Sequence, residues 1–152
     1  MEYVRKKHEI KVLFMAWLFG KRKKRKLEVE SKLIEAEISR SKRFGFQFGV
    51  LTVEVSHSVP GGLSRILPGR PISFHVLEKN LRLYDQVIES RYRRRYYIIL
   101  PQTDGDGVEV VKTRIYGIAQ EQNWGDISIG SSVYPDDGDD SKALLGKLSG
   151  KV

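Results

Sequence analysis

Five consecutive residues, Arg91–Tyr92–Arg93–Arg94–Arg95, put four guanidinium groups on one short connection ahead of Tyr96. A guanidinium is a permanent cation that only donates hydrogen bonds, so the cluster is either fully solvated or turned toward an anion. It cannot ligate a metal ion. Other residues with obvious chemistry are sparse. There is no cysteine, which removes disulfides, thiolate metal sites and cysteine nucleophiles. His8, His57 and His75 share no ligand spacing. Gly61–Gly62 invites a phosphate-loop reading, but no Gly-Lys-Ser/Thr follows to complete it. Asp104-Gly105-Asp106-Gly107 opens like a calcium loop without the closing Glu, so Asp104 or Asp106 reads as a helix cap.

The elements that must position these residues follow from periodicity. Leu27 to Ser41 is rich in helix formers, with Leu27, Leu33, Ile34 and Ile38 on one side, and Gly45 ends it. Phe48 to Val55 is apolar on both alternating sides, the pattern of a strand in the middle of a sheet. Pro60, Gly61, Gly62, Pro68, Gly69 and Pro71 punctuate a loop, and Pro71 suits the first turn of a helix running to about Tyr84. Gln86 to Glu89 alternates as a short strand, and Tyr96 to Leu100 is β-branched and aromatic enough for a buried one. Val108, Val111, Ile115 and Ile118 recur at helical spacing as a core face. Asp126 to Val133 is a further strand, and Ser141 to Leu148 a last short helix that caps on Ser141. Helices interleaved with strands around one tight hairpin predict a two- or three-layer α/β sheet.

The net charge of +8 is unevenly placed. Met1 to Phe48 holds fourteen Lys/Arg against six Asp/Glu, while the remainder carries thirteen of each. Residues 1–26 therefore read as a basic and apolar arm, and 27–152 as the domain. The apolar run from Val12 to Phe19 is far shorter than the roughly 20 residues that span a bilayer. Lys21 to Lys26 also stands where a signal peptide would have its cleavage site. Three uses of the arm stay open. The run can pack on the domain or on a second copy; it can lie at a membrane surface, with Arg5–Lys7 and Lys21–Lys26 on anionic lipid; or the cations can meet nucleic acid phosphates, the least favoured of the three.

SIGSSVYPDDGDDSKALL (Ser128 to Leu145) resembles the segment that closes a GGDEF domain, the fold of the diguanylate cyclases. IILPQTDGDGVEVVKTRI (Ile98 to Ile115) resembles that family's strand ending in Leu-Pro, its Thr-Asp turn and the following helix, and SRSKRFGFQFGVLTVEVSH its first helix end and first strand. The similarity covers about Leu27 to Leu148. It implies an α/β fold with a GGDEF/nucleotidyl-cyclase-like central mixed sheet flanked by helices, in a cytoplasmic signalling protein that the arm can place at the inner face of the membrane.

The family condenses two GTP molecules into cyclic di-GMP, with a metal clamp that needs converging carboxylates and a small-residue turn against phosphate. By this resemblance the Asp-x-Asp pair falls on Glu54 and Ser56, and the Gly-Gly-(Asp/Glu)-Glu-Phe hairpin on Arg91 to Arg95 or Tyr92 to Tyr96. One carboxylate is lengthened, and the other, with the hairpin's glycines and acids, is gone. No catalytic residue and no metal site is expected beyond the remnant Glu54. Mg²⁺ enters only with a residual cyclase, the alternative activity. Arg82-Leu83-Tyr84-Asp85 matches the family's Arg-x-x-Asp product site, with five residues between Asp85 and Arg91. There the Arg meets guanine or phosphate, the Asp accepts from the guanine edge, and Arg93, Arg94 and Arg95 can add phosphate affinity. The plain alternative is an ion pair at i, i+3 near a helix end. The expected function is a noncatalytic domain that binds cyclic di-GMP at Arg82 and Asp85, or that contacts another signalling protein or a second copy.

Overall fold

The computed structural model describes residues 29–55, 72–90 and 95–149. Helix α1 covers residues 29–44 and leads into strand β1 (Phe48–Val55). Helix α2 (Phe74–Lys79), β2 (Gln86–Ser90), β3 (Arg95–Leu100), α3 (Gly105–Glu121), β4 (Ile127–Tyr134) and α4 (Ser141–Ser149) follow. The arm over 1–26, Ser56, the loop from His57 to Pro71 and the run from Arg91 to Arg94 lie outside the described residues. Among those described, no helix is long and apolar enough to cross a membrane.

The sheet order is β2-β3-β1-β4, with β1 in the interior as its two-sided apolar pattern predicts. Among the described residues every ladder is antiparallel, where a mixed sheet was expected above. The reason is topological. β1 and β2 run the same way, as do β3 and β4, but in each case an oppositely directed strand lies between them. The strands joined through a helix are thus parallel without being hydrogen-bonded to one another, as in a split βαβ arrangement.

Alternation along β1 feeds two cores. Leu51 and Val53 join Ile98, Leu100, Val111, Ile115 and Ile129 under α2 and α3. Phe48 and Val50 join Tyr97, Ile99, Ile34, Ile38, Leu144 and Leu148 under α1 and α4. The molecule therefore has three layers, helices on both faces of one sheet. Gly49 faces the N-terminal turn of α3, where a Cβ would fall 2.2 Å from Val108 Cγ2. Its lack of a side chain is what lets that helix approach β1.

Helix ends follow local chemistry. Gly45 takes a φ of +71°, and its N–H donates to Ser41 O at 2.8 Å, closing α1. Asp104 caps α3 by accepting from the Gly107 N–H at 2.8 Å. Two expectations change. α2 ends at Lys79 rather than near Tyr84, because the Asn80 side chain donates to Val76 O at 2.8 Å and diverts the backbone into a turn. α4 is capped by Asp140, whose Oδ1 accepts from the Ala143 N–H at 2.7 Å. The Ser141 hydroxyl is spent instead on Glu35 at 2.9 Å and Ser31 at 2.8 Å, joining α4 to α1.

The glycines give a paired test. Gly117 lies inside α3, and a Cβ added there would meet nothing within 4 Å, so Gly117→Ala should stabilise by about 1 kcal/mol, a rise in Tm of about 3 °C. Gly49→Ala should destabilise by about 1–3 kcal/mol, because Val108 is buried and β-branched and has no room to yield. Thermal and urea unfolding of both variants check the opposite signs.

Candidate functional site

The first group of predicted residues sits where β1 ends and β3 begins. The register sets Glu54 directly across from Arg95, and both side chains are on the α1/α4 face. Arg95 Nη2 lies 2.5 Å and Nε 3.1 Å from Glu54 Oε2. The pair is largely shielded, with side-chain exposures of 16% for Arg95 and 23% for Glu54. Burial works against the Arg95 charge, but hydrogen bonds with Tyr97 and Glu54 outweigh it, and the guanidinium holds its proton more tightly than usual. The one acid expected as a metal remnant thus already has a cation of the protein's own. Among the described residues, no group of three His, Cys, Asp or Glu could hold a metal ion.

Tyr96, one frame of the signature loop, is a core residue instead. It lies on the opposite face of β3, buried, with its hydroxyl donating to Ile72 O at 2.8 Å. Burial, then the neighbouring Glu89, pushes its phenol above the ordinary range. Of the hairpin, Arg91, Tyr92, Arg93 and Arg94 lie outside the described residues, as does Ser56.

The second group is the turn from α2 to β2. Arg82 and Asp85 are brought together, but through the backbone. The Arg82 N–H donates to Asp85 Oδ2 at 2.8 Å, and the Asp85 N–H donates back to Arg82 O at 3.0 Å. The two bonds close the turn, and in them the Asp85 carboxylate meets the backbone of Arg82 rather than its guanidinium. The Arg82 guanidinium instead lies 6.0 Å from the centroid of the Tyr84 ring. Asp85 Oδ1 is buried and has no hydrogen-bond partner among the described residues. Burial raises the carboxyl's pKa, opposed by the Arg82 N–H and by the charges of Arg82 and Arg114.

Arg114 is the residue that sequence reasoning missed. It projects from the exposed side of α3, and its Nη1 donates to Asn80 O at 3.3 Å, at the mouth of the same turn. Nothing in its spacing along the chain links it to Asn80; only the packing of α3 beside α2 does so. The Asp85 carboxylate thus lies in the field of two positive charges, Arg82 from its own turn and Arg114 from α3.

The two groups do not form one site. Gln86 pairs with Ile99 at one end of β2, and Ser90 pairs with Arg95 at the other. At about 3.4 Å per residue, Asp85 and Arg95 stand roughly 17 Å apart along the strand. Arg95, expected above to add phosphate affinity, is engaged by Glu54 at the far end of the ladder.

Asp85 gives a test with a definite sign. A raised pKa means that the native state takes up a proton more readily than the unfolded chain. Ionised Asp85 therefore opposes folding at neutral pH, and that opposition fades as the pH falls to the ordinary carboxylate value. Asp85→Asn should melt above the wild type near neutral pH, with the gap closing as the pH approaches about 4. Melting curves across that range check it; a gap that widens on acidification contradicts it.

No protein-family model matches the chain, and no curated protein matches it. Solved structures do. A DGC protein from Thermotoga maritima superimposes with a TM-score of 0.62 at 16% identity, covering 80% of this chain and 89% of that one. A sensory box/GGDEF family protein from Caulobacter crescentus CB15 gives 0.54 at 16% identity, over 82% and 86%. An EAL/GGDEF domain protein from M. capsulatus gives 0.52 at 22% identity, over 77% and 83%. At such identities the likeness is one of fold: this chain has the fold of these DGC and GGDEF proteins.

Proposed function

We propose that the chain is a noncatalytic GGDEF-like signalling domain that binds cyclic di-GMP at the Arg82–Asp85 turn. The observation that carries the binding is Asp85 Oδ1, a buried carboxylate oxygen with no donor among the described residues, in the field of Arg82 on its own turn and Arg114 on α3. A buried acceptor left unpaired costs about 1–3 kcal/mol, which a ligand that supplies the missing donor would recover. The ligand that fits carries N–H donors on a flat edge and anionic oxygens beside it. Guanine's Watson–Crick edge presents such donors, and the phosphates of a cyclic dinucleotide suit the Arg82 and Arg114 guanidinium groups. Oδ1 is buried in the free protein, so binding includes a movement of this turn that uncovers it, and Leu83 and Tyr84 at its apex are exposed.

The noncatalytic half of the reading rests on Glu54. A two-metal phosphoryl transfer needs carboxylates free to converge on cations. Glu54 is held by Arg95 across the ladder, and replacing that guanidinium with a metal ion would leave a shielded positive charge unpaired beside the incoming one.

Calorimetry with cyclic di-GMP tests the binding, and chromatography of GTP incubated with Mg²⁺ or Mn²⁺ tests the chemistry. The wild type should bind, Arg82→Ala and Arg114→Ala should each weaken binding about tenfold or more, equivalent to about 1.4 kcal/mol, and GTP should remain unchanged. No heat from the wild type at protein well above micromolar rejects ligand sensing and leaves a protein-contact role. Formation of cyclic di-GMP from GTP rejects the noncatalytic reading.

A further inference from the structure

The cyclic di-GMP reading leaves one feature of the turn without a role: its apex. Leu83 is 103% exposed and Tyr84 55% exposed, so the turn carries an apolar and an aromatic side chain clear of both cores. The Arg82 guanidinium stands 6.0 Å from the Tyr84 ring centroid, at the outer edge of cation–π attraction, and the turn between residues 82 and 85 is closed by two hydrogen bonds. An exposed aromatic ring, one residue before a carboxylate oxygen that has no donor among the described residues, offers a nucleobase a plane to lie on and an acceptor at its edge. Arg82 would then sit against the ring and within reach of the phosphate attached to that base.

We propose that Tyr84 is the stacking platform for one guanine of the ligand, an inference that rests on the binding assignment of the previous section. The base lies over the Tyr84 ring, its donor edge meets Asp85, and Arg82 links ring and phosphate. Stacking requires the π face and not the hydroxyl, so the ring alone sets the effect. Because every base has a π face, Tyr84 contributes affinity, while Asp85 discriminates guanine from bases that lack donors at that edge.

The test uses the full chain, with cyclic di-GMP followed by calorimetry and a cyclic dinucleotide carrying 2-aminopurine followed by fluorescence. Tyr84→Phe should bind within about twofold of the wild type and quench the analogue equally. Tyr84→Ala should bind about tenfold or more weakly and lose the quenching, with an unchanged Tm, since the side chain belongs to neither core. Wild-type affinity in Tyr84→Ala, alongside a loss in Arg82→Ala, overturns the stacking and keeps the binding site. Equal losses in Tyr84→Phe and Tyr84→Ala assign the effect to the hydroxyl and also overturn it. A wild type that does not bind overturns both readings together.

Discussion

The structure depends on β1 being buried on both faces. Phe48 and Val50 point into one core and Leu51 and Val53 into the other, so neither helical layer has a reason to pack without this strand. The requirement explains Gly49, where α3 comes too close for any side chain, and it fixes both neighbours of β1 by register. A one-residue slip of β3 would move Ile98 and Leu100 out of one core and Tyr97 and Ile99 out of the other. The same register puts Arg95 opposite Glu54. The ion pair at the end of the strand is thus a consequence of how the core is aligned, and it settles what that acid is engaged with.

That alignment separates two regions with different charge balance. At one end of β2, charge is internally compensated: Glu54 and Arg95 satisfy each other within a shielded ladder. At the other end compensation is incomplete. Asp85 spends one oxygen on its own turn, and the other has no donor among the described residues, while Arg82 and Arg114 hold two positive charges nearby. Regions of incomplete compensation carry a cost in the free protein, and a ligand of matching polarity removes it. The contrast between the two ends, rather than the number of arginines in the hairpin, directs attention to the turn before β2.

Much of the architecture was legible from period alone. The two-sided run from Phe48 to Val55 announced a central strand, and Val108, Val111, Ile115 and Ile118 announced the buried side of α3. Competing local bonds were harder. Asn80 ends α2 through a side-chain bond that a helix-forming sequence does not reveal, and in Asp139–Asp140–Ser141 several good capping residues stand together, of which only packing selects Asp140. α1 buries Glu30 and Glu37 along with Ile34 and Ile38, against the usual binary pattern. The site was half legible. Arg82 and Asp85 came from a motif, but their bond runs through the backbone, and Arg114 reaches the turn from a helix about thirty residues on. Contacts of that kind are set by tertiary packing, which no local window contains.

A guanine dinucleotide should therefore meet the end of the sheet where Asp85 lies and not the end where Glu54 lies. An amide-resolved NMR titration of the ¹⁵N-labelled chain with cyclic di-GMP tests this most directly. Saturable shifts should concentrate at Asn80 to Gln86 and around Arg114, with Glu54 and Arg95 unaffected. Shifts centred on Glu54 and Arg95, or a spectrum that does not change, would contradict it.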